Sequence, residues 1–312
     1  MILVCGPTAS GKSGLALAIA EEFGGWVINA DSMQVYRDLR VLTARPGAAD
    51  EARRPHRLYG ALDGAELCSA ARWRDMAAAA IAEARAAGAL PVLVGGTGLY
   101  FRALTRGLAE VPPIPEPVRH EARRLRAELG PAGFHRALAA RDPEAAARLA
   151  PGDTQRTVRA YEVAAATGVP LGEWQRRGAA GALRGARLEL VLLPPRDLLY
   201  RAVDGRFAAM LEAGAAEEVR RLLDRRLDPA LPVMKAVGVR EIAAWIGGEI
   251  ARDKAIARGS QATRNYAKRQ YTWFRRQMPG AAALEEQYSE SLAGRIFPII
   301  REFLLTRKDG VV

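Results

Sequence analysis

Leu3-Val-Cys-Gly-Pro-Thr-Ala-Ser-Gly-Lys-Ser13 decides how this 312-residue chain is read. From Gly6 to Ser13 it fits G-x-x-x-x-G-K-[ST] at every fixed position, between an apolar strand at residues 3–5 and an apolar-periodic helix over 15–23. In that setting the glycines let backbone N–H groups converge on phosphate oxygens, and the helix start adds its positive dipole end. Lys12 supplies a point charge and the Ser13 hydroxyl a Mg²⁺ ligand. Gly6, Pro7, Thr8, Ala9, Ser10, Gly11, Lys12 and Ser13 are therefore the expected diphosphate-binding residues, and Ser13 the expected metal ligand.

Working outward, a second strand is expected at 26–30, ending on Asp31-Ser32, and a helix capped by Ser69 runs to about residue 87. The continuous apolar run at 90–94 reads as a buried strand closed by Gly95-Gly96-Thr97-Gly98, and 188–193 reads as another, closed by Pro194-Pro195. Strands alternating with helices imply an α/β fold, a P-loop NTPase-like parallel sheet flanked by helices with ligand groups at the carboxyl ends of its strands. The proline cluster at 111–117 interrupts this pattern, and 118–178 carries only helical periodicity, as in an all-helical insertion domain. The expected division is a P-loop core over 1–112 and 188–290, a helical insertion over 113–187, and a C-terminal helix and tail over 291–312.

Arg, Glu or Gly breaks every apolar run before it is long enough to cross a bilayer, and the first residues enter a strand without a basic leader. A cytoplasmic protein is expected, with no membrane partner. Cys5 and Cys68 have neither disulfide-framework nor metal-ligand spacing and read as inert thiols. The net charge of +11 asks for a polyanionic partner unless a coding bias toward Arg inflates it. Position discriminates between these. Residues 113–187 hold 13 Arg against 8 acids, a net of +5, and residues 251–276 hold 8 Lys or Arg against one Asp, a net of +7. Clustering of this kind reads as a nucleic-acid footprint or as solvated helix faces.

A P-loop recognises a diphosphate and not a base. An ATP site would call for a Mg²⁺-holding Asp at another strand end, whereas 90–94 ends in Gly95-Gly96. Asp31 is the acid at a strand end near the P-loop; it reads as a turn residue, a metal partner, or a general base for an incoming nucleophile. A small-molecule kinase, a prenyltransferase acting on free nucleotides and a non-catalytic RNA-binding module are the competing classes.

Four blocks in order narrow these. They are Gly6 to Ser13, Ile28-Asn-Ala-Asp-Ser-Met-Gln-Val-Tyr36, Gly95-Gly-Thr-Gly-Leu-Tyr100, and Thr263-Arg-Asn-Tyr-Ala-Lys-Arg-Gln-Tyr-Thr-Trp-Phe-Arg275. Together they resemble the tRNA dimethylallyltransferase (tRNA isopentenyltransferase) family, from the first strand to about residue 276. The resemblance implies transfer of a dimethylallyl group from dimethylallyl diphosphate to N6 of adenosine 37, 3′ of the anticodon in tRNA, with Mg²⁺ as cofactor and release of diphosphate. The implied partners are the tRNA anticodon stem-loop and dimethylallyl diphosphate, and a monomer is expected.

Carried over by position, the resemblance makes Asp31 the general base, with Arg206 and Lys12 on the departing diphosphate. The implied tRNA contacts are Asp31, Ser32, Met33, Gln34, Thr97, Arg119, Gln155, Arg156, Thr157, Val158 and Arg159, with Lys235, Gly238 and Arg240 in a further RNA-contacting loop. Val41-Leu42 stands where Ile-Gly is usual, Thr154 where Pro is usual, and Val239 where Tyr is usual, which bears most on the Lys235 loop.

Overall fold

Four short, mostly hydrophobic segments make the centre of the first structural unit. In the computed structural model, which describes residues 1–306, they form β1 (Ile2–Cys5), β2 (Gly25–Asn29), β4 (Leu90–Gly95) and β5 (Leu188–Leu192). All pair in parallel within a six-stranded sheet of order β3-β2-β4-β1-β5-β6. A parallel strand covered on both faces has no solvent side, so its sequence need not alternate; every residue of β1 is buried. The edges are two strands without such a signature, β3 (His56–Arg57) and β6 (Ala282–Leu284).

The crossover helices are α1 (Lys12–Glu22), α2 (Ala48–Arg53) and α3 (Ala70–Ala86). Ser69 caps α3 as expected, its hydroxyl accepting from the Arg72 amide at 3.1 Å. After β4 come α4 (Gly98–Arg106), then α5 (Glu116–Arg141), α6 (Pro143–Arg148), α7 (Thr154–Thr167) and α8 (Leu171–Arg176). Following β5 the chain adds α9 (Arg196–Glu212), α10 (Ala215–Asp224), α11 (Val239–Ile246), α12 (Arg252–Gln277) and α13 (Glu290–Leu305).

Register determines where chemistry collects. Cys5 lies beside Gly95, and Asn29 beside Val94, so β1, β4 and β2 end at one level. From β1 the chain crosses to β2 on one side, and from β4 it goes on to β5 on the other. Such a reversal opens a crevice at the carboxyl ends of the strands between which it occurs, here β1 and β4.

The chain separates into two compact units, 1–104 with 184–312, and 105–183. The second unit is helical, built on Ala122, Phe134, Leu138, Ala145, Ala146, Ala160 and Tyr161. Its longest helix, α5, breaks at Gly130 (φ 63°), and Pro131 begins the next stretch. The antiparallel bridge Leu108–Ala180 joins its two ends. Among the described residues no helix is long and apolar enough to cross a membrane.

In the first unit α13 is an integral part of the core. Leu292, Ala293, Ile296 and Ile300 pack with Leu15, Ala16 and Ile19 of α1 and with the sheet. Truncating Ile296, 3% exposed, removes buried methyl groups from that cluster. Ile296→Ala is expected to lower unfolding free energy by about 2–5 kcal/mol, measured by urea titration; an unchanged midpoint would mean that α13 does not belong to the folding unit.

Candidate active site

The loop between β1 and α1 has a left-handed φ at Ala9 (66°) and at Gly11 (83°). Alternation of backbone hand produces the concave nest of amides that holds anions, and Gly11 is also the cap of α1. Ala9 occupies a region that costs a β-carbon-bearing residue free energy, so surrounding contacts must hold it. Two come from the chain's far end: the Gln287 side chain donates to the Ala9 carbonyl at 2.9 Å, and the Tyr288 amide to the Ser10 carbonyl at 3.3 Å.

A third brace reaches across from α12. Gln270, 5% exposed, accepts the Thr8 amide on Oε1 at 2.8 Å and donates from Nε2 to the Gly96 carbonyl at 2.9 Å. One buried amide side chain thereby ties the P-loop to the loop after β4. A Cβ at Gly96 would lie 2.1 Å from Gln270 Nε2, so any larger residue there would displace this brace.

The loop after β2 is fastened to the same frame. Asn29, fully buried, accepts the Asp31 amide at 2.9 Å and donates to the carbonyls of Asp31 and Leu58 at 3.0 and 3.1 Å. Thr97 accepts the Ser32 amide at 2.9 Å and donates to the Ser32 hydroxyl at 3.2 Å. Asp31 Oδ1 accepts the Met33 amide at 2.9 Å, which fixes the carboxylate and leaves Oδ2 without a protein donor among the described residues.

Thr8 of the P-loop and Asp31 to Met33 of the loop after β2 line a cavity of about 220 Å³. Its polar side carries Thr8, Asp31, Arg206 and Tyr266, and its apolar side Leu42, Val203, Phe207 and Met210. Arg206, on α9, donates to the Thr8 hydroxyl at 2.5 Å, which places its guanidinium at the mouth of the P-loop. Burial lowers the Arg206 pKa, and the nearby Asp31 opposes that. Lys12 keeps a solvent path but is packed round with protein, and its Nζ donates to the Pro7 carbonyl at 3.3 Å. Desolvation pulls its ammonium down to about 8; Asp31 pushes it up and Arg206 pushes it further down. The Tyr266 hydroxyl meets Thr97 and Gln270, and burial, with Asp31 nearby, holds it un-ionised.

The expected site residues divide into three groups. Thr8, Asp31, Ser32, Met33, Arg206 and Lys235 line the cavity. Gln34, Thr97 and Gly238 act behind it. Gln34 donates to the carbonyls of Thr43 and Ala44 at 2.8 and 3.0 Å, and Gly238 (φ 98°) caps α11 against Leu42 and Phe207. Arg240 is exposed on α11. In the helical unit Gln155 is exposed, Arg156 pairs with Asp153 at 3.1 Å, Arg159 with Glu162 at 3.8 Å, and Arg119 with Glu116 at 3.9 Å. Val158 packs on that unit's core. Thr157 is 1% exposed and donates to the Asp153 carbonyl at 2.8 Å, which leaves its side chain no free surface for a direct contact.

The Ser13 hydroxyl is exposed and makes no hydrogen bond among the described residues. Among them there is also no cluster of three His, Cys, Asp or Glu able to hold a metal. A Mg²⁺ ion at this position would rest on one protein oxygen and take its other ligands from phosphate and water, the sparse ligation usual for that ion.

Sequence reasoning passes over Gln270, Asn29, Tyr266 and Phe207. For Gln270 a signal exists. The buried stripe of α12 is Ala255, Gly259, Thr263, Ala267, Gln270 and Phe274, and a glutamine within such a stripe must have internal partners.

Comparison with known proteins follows this geometry. The sequence profile described as IPP transferase matches residues 34–277. The tRNA dimethylallyltransferase of Rhodospirillum centenum is 60% identical over 282 residues, covering 90% of each chain. That of Paramagnetospirillum magneticum is 56% identical and covers 98% of this chain and 97% of its own. Among solved structures, the full-length tRNA isopentenylpyrophosphate transferase of Bacillus halodurans is 31% identical with a TM-score of 0.70, covering 99% of this chain and 97% of its own. A eukaryotic dimethylallyltransferase crystallised acting on tRNA is 26% identical with a TM-score of 0.82, covering 98% of this chain and 79% of its own.

A lowered Lys12 pKa gives anion binding a pH dependence of defined sign. The ammonium is charged below about 8 and is lost as pH rises through that value, so diphosphate affinity is full on the acid side and falls on the basic side. In Lys12→Arg the charge persists and that component of the fall should vanish. Calorimetric titration with inorganic diphosphate across this range checks it; identical profiles for the two proteins would contradict the assignment.

Proposed function

This chain belongs to the IPP transferase family, and we propose on that footing that it transfers the dimethylallyl group of dimethylallyl diphosphate to N6 of adenosine 37, beside the anticodon of tRNA. The products are N6-(dimethylallyl)adenosine and diphosphate. The enzyme works as a monomer in the cytoplasm, where its tRNA acceptor is found.

The observation that carries this reading is the meeting of Thr8, Arg206 and Asp31 on one cavity. Bond making and breaking then balance within it. The N6 lone pair attacks C1 of the allyl group, the C1–O bond breaks, and its electron pair leaves with the diphosphate. The amide nest, Lys12 and Arg206 receive that developing charge, and groups placed where charge grows lower the barrier directly. Mg²⁺ held by Ser13, when bound, would add neutralising charge to the same oxygens. The N6 proton passes to Asp31 Oδ2, the carboxylate oxygen with no protein donor among the described residues. An exocyclic adenine amine is a weak nucleophile, so a fixed base beside it matters. Leu42, Val203, Phe207 and Met210 supply the apolar wall for the allyl chain and keep water from the reacting carbon.

To reach this cavity the adenine must leave its stack, as in enzymes that modify bases in structured nucleic acid. Nucleoside mass spectrometry of unmodified tRNA incubated with the protein and dimethylallyl diphosphate tests the reaction; absence of the prenylated adenosine would refute it. Asp31→Asn is expected to reduce kcat by about 10²–10⁴ with tRNA affinity kept, because the carboxylate acts in the transition state. Undiminished turnover in that variant would remove Asp31 from the mechanism.

A further inference from the structure

The apolar side of the cavity has a far end, and that end cannot yield. Val203, Arg206, Phe207 and Met210 recur on α9 at the spacing of one helix face. A donor gripped by its diphosphate at Thr8 and Arg206 therefore lays its hydrocarbon against Phe207 and Met210. Leu42 closes on the same wall from the loop after β2; it is 6% exposed, and Phe207 is 3% exposed. The enclosed volume of about 220 Å³ is below the roughly 300–1,000 Å³ of ordinary small-molecule sites, and it must take a purine beside Asp31 as well as the allyl chain.

Backbone stands behind both side chains. A Cβ on Gly238 would lie 2.8 Å from Leu42 Cδ1 and 2.9 Å from Phe207 Cε2, and a Cβ on Gly259 of α12 would run into the Phe207 ring. Neither residue has a side chain behind it that could move aside. The main chain at Leu42 is held from α10. Glu218, 6% exposed, accepts the amides of Arg40 and Val41 on Oε1 at 2.9 and 2.8 Å, and those of Val41 and Leu42 on Oε2 at 2.9 and 3.1 Å. Hydrogen bonds to an ionised acceptor are about twice as strong as neutral ones. The Thr43 hydroxyl adds a bond to the Leu39 carbonyl at 2.8 Å. A buried carboxylate committed to three successive loop amides, and absent from the cavity lining, acts only on where Leu42 stands.

We propose that Leu42 and Phe207 are a stop that limits the transferred chain to five carbons, with Glu218 the positioning residue that holds Leu42 in place. The inference rests on the proposed reaction and names what selects its donor. Geranyl diphosphate, the ten-carbon homologue, has the same diphosphate and the same allylic C1. Attack by N6, departure of the C1–O electron pair with diphosphate and transfer of the proton to Asp31 would be identical. The two donors differ only where one methyl of the five-carbon unit is extended, so a site separates them by the space beyond that carbon and by nothing else. Leu42 stands where glycine is usual in the family pattern, and the side chain that fills this end of the cavity is thus a feature of this chain's own sequence.

The test measures kcat/KM for dimethylallyl and geranyl diphosphates with unmodified tRNA, each product identified by nucleoside mass spectrometry. In the wild type geranyl transfer should be on the order of a hundredfold or more below dimethylallyl transfer. Leu42→Gly should raise the geranyl-to-dimethylallyl ratio on the order of tenfold or more, with affinity for inorganic diphosphate kept. Glu218→Gln, which loses acceptor capacity toward the three amides, should raise the ratio several-fold. Ile296→Ala loosens the core away from this cavity and should leave the ratio at the wild-type value, since a general loss of stability lowers both activities together. Leu42→Ala reads the same ratio should the glycine variant fail to fold. A ratio unchanged in the folded Leu42 variants would overturn the inference, as would a wild type that transfers both chains equally or an Ile296→Ala ratio that rises as far as that of Leu42→Gly. A wild type that prenylates no tRNA with the five-carbon donor would instead defeat the reaction assignment, and the first lane of the same assay reads that out separately.

Discussion

Parallel pairing of β1 with β4 is the constraint on which the rest depends. It sets Cys5 beside Gly95, so the P-loop and the Gly96-Thr97 loop leave the sheet at one level, close enough for a single glutamine to span them. Gln270 satisfies a part-buried P-loop amide and a buried β4-loop carbonyl at once, groups costly to leave unpaired. From that tie the site extends by hydrogen bonds alone, from Thr97 to Ser32, from Asn29 to Asp31, and from Asp31 to Met33. Asp31 and the P-loop are thus held in a fixed relation by a frame that belongs to the fold.

Electrostatics within this frame are arranged in opposition. Lys12 and Arg206 both feel the Asp31 carboxylate, and both cations are depressed by burial and supported by that carboxylate. A dianionic leaving group entering such a site relieves the repulsion between the cations and finds donors already oriented. Little reorganisation is then left for the transition state. In the proposed reaction the apolar wall from α9 and Leu42 would contribute in a different way, by keeping water away from the allylic carbon.

Sequence and structure agree where a single local signal suffices. The P-loop, the strands at 90–94 and 188–193, the Ser69 cap and the purely helical stretch all have short-range signatures, and their elements lie where those signatures put them to within a residue or two. Edge strands β3 and β6 have none, because two or three half-exposed residues carry no periodicity. The contacts of Gln287 and Tyr288 with the P-loop, and the packing of α13 on α1, join positions almost 280 residues apart and cannot be read from pattern. Charge counting marked both basic segments alike; only coordinates separate cations that already hold a carboxylate from those that do not. Gln34 and Thr97 show the reverse limit, since polarity at a site gives no sign of whether a side chain meets the ligand or braces a loop behind it.

The central claim is that the diphosphate nest and the adenine nitrogen share one pocket with Asp31 between them. A crystal structure of the protein with a non-reactive thio-analogue of dimethylallyl diphosphate and an anticodon stem-loop addresses it most directly. The account predicts the diphosphate on the P-loop amides with Lys12 and Arg206, and adenine N6 within hydrogen-bond distance of Asp31 Oδ2. An adenine bound elsewhere, or an Asp31 carboxylate turned onto protein donors with the base in place, would contradict it.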